Sequence, residues 1–309
     1  MELTISTPHK VDPIPRVPKA VLRRIQSSDN PFVTNANGMI GRLNALSGVL
    51  PNRYRWRYRT TDGFGAEMAE IAAAATDALP VNALYWRDQL SNWAAYSLMN
   101  TLRVIDLARS CVWALAREEA LCASLLARSA LETAAAFVDA ARTMSATIRH
   151  TGTEQNPGSI LDPTIDLRTT VVMSTELEHH SLKTIFASRL PESDRIYEAT
   201  NILTIITRIS KIRTHEFVLP TYGFLCEVAH PNFLGRTLYL HGSEPGPREG
   251  NEVRTLGPGN GPTWHFLAEP IVAALSWACA TQVSAFSLMG ETIDEVIARL
   301  KTAEQTPIT

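Results

Sequence analysis

Apolar residues along most of this chain recur at helical spacing. From Asn82 to about Leu115, the residues Leu84, Leu90, Trp93, Leu98, Leu102 and Ile105 fall near one face, and no Gly or Pro interrupts them. A second long helix is predicted from about Arg117 to Ile148, with Glu118 and Glu119 in its first turn, where negative charge suits the helix dipole. Its apolar face is expected to carry Leu121, Leu125, Ala130, Leu131 and Phe137. Further helices are predicted at 66–79 (ended by Pro80), 166–188, 194–213 and 217–230, and a last long one at 265–303. Pro220 fits the helix at 217–230 only within its first turn. Residues 21–50 are expected to hold one or two short helices, broken at Asn30-Pro31 and Gly38.

Three segments depart from this period. Residues 1–20 carry Pro8, Pro13, Pro15 and Pro18 and read as an extended arm. Arg53-Tyr54-Arg55-Trp56-Arg57-Tyr58-Arg59 alternates strictly, which predicts a strand with four arginines on one face and three aromatics on the other. In a Gly- and Pro-rich stretch at about 235–263, residues 237–240 and 252–256 are expected to pair as a small hairpin. The predicted fold is therefore mainly α: a bundle of long antiparallel helices with a small β-hairpin insertion and a Pro-rich N-terminal arm. Residues 1–65 form the arm and extension, and 66–309 the helical domain.

The 309 residues, 45% of them hydrophobic, are ample for a buried core, which excludes a disordered chain or a disulfide-stapled miniprotein. The net charge of -2 provides no global field to draw in a polyanion, so dedicated nucleic-acid binding is not favoured. Cys111, Cys122, Cys226 and Cys279 stand far apart in apolar stretches and read as buried reduced thiols of a cytoplasmic protein. The uncharged run 271–290 is long enough to span a bilayer, but its serines, Gln282 and acidic flanks point to a core helix, and no membrane association is expected.

Four groups of residues are candidates for chemistry. Arg128 and Glu132 lie four apart in an apolar neighbourhood, where a charged pair must find partners or reach a cleft. Glu227 and His230 lie three apart at a predicted helix end, where the dipole favours a protonated imidazole. This pair suits acid–base work or, with Pro231 and Asn232, a helix stop. Glu176/His179 and Glu227/His230 both match the Glu-x-x-His ligand pair of di-iron bundles. The second lone-Glu helix that such a centre requires has only Glu198 or Glu216 to fill it, so no metal or other cofactor is expected. Finally, Arg53, Arg55, Arg57 and Arg59, interleaved with aromatics, suit phosphate or single-stranded nucleic acid, or else a charge-protected edge strand.

P-loop, Rossmann, Gly-x-Ser-x-Gly and His-Glu-x-x-His motifs are absent. Over about residues 90–240, the order of elements resembles a loose group of uncharacterised bacterial helical proteins, some of them HEPN-like. The matching residues are Arg128, Glu132, Tyr222, Glu227 and His230. Members of the HEPN group often act as ribonucleases in toxin–antitoxin or phage-defence systems, with a signature of Arg and His separated by four to six residues. Arg208/His215 and Arg236/His241 have that spacing; Ile209 stands where the group prefers a polar residue, and no Arg stands at that spacing before His230. The resulting expectation is a bacterial, self-associating interaction or defence-associated protein, in which Arg128, Glu132, Glu227 and His230 form a network fixing the bundle. The alternatives are a hydrolase or ribonuclease using those four residues, and a phosphate or nucleic-acid binding module using the Arg53–Arg59 strand. Besides a second copy, a protein partner is a further expectation.

Overall fold

A computed structural model describes residues 12–51, 53–150, 159–188, 197–230, 232–248, 250–257 and 264–305. Among them, eleven α-helices and one two-stranded antiparallel sheet make a mainly α fold with a small hairpin. Four short N-terminal helices come first: α1 (Lys19–Arg24), α2 (Pro31–Thr34), α3 (Ala36–Ser47) and α4 (Thr61–Ala74). The centre is built from α5 (Leu79–Ala116), α6 (Ala120–Arg149) and α11 (Trp264–Gln305), with α6 packed along both of the others. Around them lie α7 (Thr175–Thr184), α8 (Ile202–Ile209), α9 (Val218–Ala229) and α10 (Phe233–Thr237).

The core is rich in large aromatics and in alanine. Trp86, Trp93, Trp277, Phe137 and Leu131 are fully buried, each contributing about 1.5–3 kcal/mol. Ala127, Ala130 and Ala134 on α6, and Ala268, Ala274 and Ala278 on α11, are also sealed from water. Small side chains at these positions let helix backbones approach closely. Both α6 and α11 are long and apolar enough to cross a membrane by length and composition. Within the structure, Ile271, Val272, Leu275 and Trp277 are covered by protein, as expected of a core helix.

The turn between α5 and α6 is only Arg117–Glu119, so the two helices run antiparallel. Glu118 takes a left-handed conformation (φ 57°), and the amide of Glu119 donates back to the Ala114 carbonyl, closing the end of α5. The predicted face of α5 holds at Leu90, Trp93 and Ile105, which are buried, but not throughout. Leu102 is exposed, while Val104, Ala108 and Val112 are buried beside Ile105. On α6, Leu125 is likewise exposed. Cys111 and Cys279 are buried and burial pushes their thiols up, that of Cys279 to about 12; Cys122, contrary to expectation, is exposed.

Other boundaries shift for local reasons. Thr60 caps α4 by accepting from the Gly63 amide, so that helix begins ahead of the predicted start and ends at Ala74. Pro80 lies in the first turn of α5, where its missing N–H costs nothing, rather than ending a helix. The helix predicted from 166 starts only at Thr175. Asn82, fully buried, donates to the Leu167 and Thr170 carbonyls at 2.8 Å and accepts from the Val172 amide at 2.7 Å. Trp86 Nε1 donates to the Val172 carbonyl, and the Tyr85 hydroxyl bridges the amide and carbonyl of Ser174. Backbone groups committed to α5 in this way are not free to build a helix. The predicted helix at 194–213 is seen as α8, capped by Asn201; its predicted start at 194–196 lies outside the described residues, as do residues 1–11 of the arm.

The N-terminal arm, where described, is docked. Asn44 accepts from the Ile14 amide and donates to its carbonyl, Asn37 accepts from the Val17 amide, and both Ile14 and Val17 are buried. The hairpin pairs β1 (Leu240–Pro245) with β2 (Glu252–Leu256), so its first strand begins three residues later than expected. All five residues of β2 are exposed.

Candidate functional site

The alternating segment is not a strand. Residues 53–60 run without helix or strand between α3 and α4. Exposure still alternates over most of it: Arg53, Arg55 and Arg57 are exposed, and Tyr54 and Trp56 are half-buried. The strand expectation fails because no described residue pairs with the segment through a ladder; side chains anchor it instead. Trp56 Nε1 donates to Asn92 Oδ1 (2.9 Å), and Asn92 Nδ2 donates to Asp88 Oδ2 (3.2 Å). Arg59 donates to Asp88 Oδ1 at 2.6 Å and to Glu67 Oε2 at 2.8 Å. Arg59 is therefore not part of a presented arginine face. Its side chain is 16% exposed and locks the segment to α4 and α5.

The electrostatics agree. The hydrogen bond to Glu67 is the main reason that the Arg59 guanidinium holds its proton more tightly than usual, and Arg59 in turn holds the Glu67 carboxyl below the usual range. Arg57 approaches Glu67 more loosely, at 3.7 Å, and stays 72% exposed. Trp56 meets Tyr58 edge-on at 5.5 Å, and Tyr58 leans on Phe186 at 5.8 Å.

This anchored segment forms one wall of a groove of about 1030 Å³. Arg55, Arg57 and Trp56 face it from that wall, Ile71 from α4, and Leu79, Ala83, Leu84 and Arg87 from α5. Glu304 near the end of α11 closes one side and pairs with Arg87. Tyr54 also lines the groove; its hydroxyl is buried and has no hydrogen-bond partner among the described residues. The groove thus joins an apolar wall to guanidinium groups.

The other four sequence candidates do not form one cluster. Arg128 Nε donates to Glu132 Oε1 at 3.0 Å along α6, and its guanidinium lies 5.5 Å from the Tyr222 ring centroid, bridging α6 to α9. Burial disfavours that charge, but Glu132, Cys226 and Tyr222 outweigh it and raise the Arg128 pKa. Burial, with Cys226 and Glu132 nearby, pushes the Tyr222 phenol up to about 12. Glu227 faces solvent on α9 and accepts from Asn232 Nδ2 at 3.0 Å. His230 is exposed just past the end of α9. Among the described residues no hydrogen bond or ion pair joins Glu227 or His230 to Arg128 or Glu132. Nor do the two Glu-x-x-His pairs meet: among the described residues no three His, Cys, Asp or Glu are grouped to hold a metal.

Sequence reasoning missed where the perturbed acids and bases gather, which is the second half of α6 and what packs on it. Burial raises the Asp139 carboxyl, and Arg208 approaches it at 3.4 Å. Burial depresses His180, whose ring stacks on Trp93 at 5.2 Å, with Nε2 3.3 Å from the Ala140 carbonyl. Burial and then Arg142 depress His215, whose Nδ1 accepts from Trp277 Nε1 at 3.2 Å. Arg208 and His215, which share the HEPN spacing, thus have separate partners, and His241 lies on the exposed hairpin, 3.1 Å from the Gly257 carbonyl. The sequence signal for Asp139 was a charge on a largely apolar helix that also carries Arg128, Glu132, Arg142 and Arg149, a signal shared by many solvated positions.

Comparison with protein-family models, with curated proteins and with solved structures finds no match.

Proposed function

We propose that this is a binding protein that holds a phosphate-bearing ligand of about mononucleotide size in the arginine groove. The observation that carries this reading is the anchored segment itself. Trp56 and Arg59 are fixed to α4 and α5 by hydrogen bonds, which leaves Arg55 and Arg57 presented beside an apolar wall. An anchored backbone beneath these donors lowers part of the ordering cost of binding. A volume of about 1030 Å³ is at the upper end for small-molecule sites. Guanidinium groups suit phosphate, and Trp56, Leu79 and Leu84 suit a flat base. The net charge of -2 favours a small anion over a polymer. Binding rather than turnover fits the lining, because arginine does not exchange protons at neutral pH and the carboxylate of Glu304 is tied to Arg87.

Calorimetric titration with ADP, ATP and pyrophosphate tests this. Binding that weakens about tenfold in Arg55→Ser and Arg57→Ser supports it. Silence with all three ligands rejects it, and binding of single-stranded oligonucleotides alone reassigns the face to nucleic acid.

A second reading, self-association, is supported by the hairpin, where Val253 and Leu256 are exposed on a sheet that has two strands among the described residues, with Tyr239 exposed just before it. Such sheets are marginal alone, and exposed apolar edges favour pairing. Native mass spectrometry of the tag-free chain reports subunit number and retained ligand together; a bare monomer at micromolar concentration would remove this reading.

A further inference from the structure

A second cleft, of about 600 Å³, lies between α6, the start of α7 and the end of α8, away from the arginine groove. It is lined by charges of both signs. Arg208 on α8 is taken up by Asp139 on α6. Arg142 on α6 and Glu176 on α7 are exposed, and neither has an ion-pair partner among the described residues. The charge of Arg142 is felt at Asp139 and His215, and that of Glu176 at His180, so both act on the same region.

Two threonine hydroxyls of α6 also line this cleft. Elsewhere on α6, Ser124 and Thr133 donate to the carbonyl four residues back, the common way for a helical hydroxyl to be satisfied. Thr143 and Thr147 line the cleft one turn apart, and neither hydroxyl has such a bond or another partner among the described residues. Ile209 and Ile212 supply an apolar surface.

An anion alone would satisfy Arg142 but would face Glu176 and Asp139. A cation alone would face Arg142 and Arg208. A molecule carrying both charges avoids both penalties. We propose that this cleft binds a small zwitterion, an aliphatic α-amino acid. Its carboxylate rests on Arg142 and the hydroxyls of Thr143 and Thr147, its ammonium on Glu176, and its side chain against Ile209 and Ile212.

The test is calorimetric titration of the full chain with L-leucine, L-isoleucine and L-valine. 4-Methylpentanoate, which lacks the ammonium, and isopentylamine, which lacks the carboxylate, are the controls. The expected result is binding of at least one amino acid, with both controls weaker by about tenfold or more. Arg142→Gln and Glu176→Gln should each weaken amino-acid binding by a similar factor; both positions are exposed, and circular dichroism checks that the variants fold. Arg55→Ser should leave this binding unchanged, which separates the cleft from the arginine groove. No heat from any of the three amino acids, 4-methylpentanoate binding as tightly as leucine, or full affinity in both cleft variants would each overturn the proposal.

Discussion

Arg59 and Asp88 meet at 2.6 Å, and this pair holds the irregular 53–60 segment against α5. Asp88 is nearly buried, with 9% of its side chain exposed, and its second oxygen accepts from Asn92, the residue that also fixes Trp56. The two side chains therefore connect a segment with no ladder of its own to the main helix of the fold. Replacing Asp88 with Ala leaves the Arg59 guanidinium half-satisfied in a poorly solvated place. The expected loss is about 2 kcal/mol, below the fully buried case because Glu67 and some solvent remain. Urea unfolding measures it, and a shift in tryptophan emission should accompany it as Trp56 loses its anchor.

Salt should separate the roles of the arginines. Ligand affinity in the groove, if carried by the exposed Arg55 and Arg57, should fall as ionic strength rises, because such charges are screened within about 10 Å at 0.1 M salt. The Arg59 pair is better shielded, so unfolding stability should change far less over the same range. Affinity that is flat from low to high salt would argue against guanidinium–phosphate contact.

Acidification should weaken the fold. His180 and His215 are held below the ordinary value of 6.5, chiefly by burial, so the unfolded chain takes up protons at a higher pH than the folded one. Their neutral forms contribute stability that is fully present above pH 6.5 and is lost as pH falls through the depressed folded values. For His215 there is a visible reason: Nδ1 accepts the Trp277 N–H only while unprotonated. Unfolding free energy measured between pH 8 and pH 5 should decline below about 6.5, and His180→Asn should flatten part of that decline.

Ser276 on α11 is fully buried, and its hydroxyl has no partner among the described residues. Ser276→Ala removes an unsatisfied polar group while nearly preserving volume. It should stabilise the protein by about 1 kcal/mol, read as a raised melting temperature.

Two positions on and just after α9 should behave differently. His230→Ala should change stability by less than about 0.5 kcal/mol, because the side chain is exposed. Tyr222→Ala should cost about 3 kcal/mol, because Tyr222 is buried under Arg128 between α6 and α9. Equal effects from the two changes would mean that the His230 end is tied into the bundle after all.

The long helices were legible because each carries enough turns for its apolar period to stand out, as α5, α6 and α11 do. The full extent of the buried face was not legible: Leu102 on α5 and Leu125 on α6 fit the apolar period but are exposed, whereas Val104 and Ala108 of α5 face inward. Residues 166–174 read as helix because their local propensities allow it; what prevents it is Asn82, far away in sequence, and no local pattern reports that. The aromatic–arginine alternation correctly separated inward and outward positions as far as Arg57. It failed at Tyr58, which is exposed, and at Arg59, whose burial depends on carboxylates brought in by two other helices. The acid–base cluster around Asp139 was hidden for a related reason: its members come from α6, α7 and the turn after α8, and only packing assembles them.

The pairing of α6 with α11 also bears on how the chain reaches this state during synthesis. Helix α6 buries Ala127, Ala130, Ala134 and Leu131 in a core that α11 helps to complete, yet α11 is the last described element to leave the ribosome. Until it does, among the described elements α6 has α5, α7, α8 and α9 to pack against, but not the partner with which it packs most extensively. A nascent chain of this protein therefore presents a long sticky helix face to its surroundings for much of translation. Chaperone capture, or misassociation with neighbouring chains, is thus a hazard built into the order of its helices.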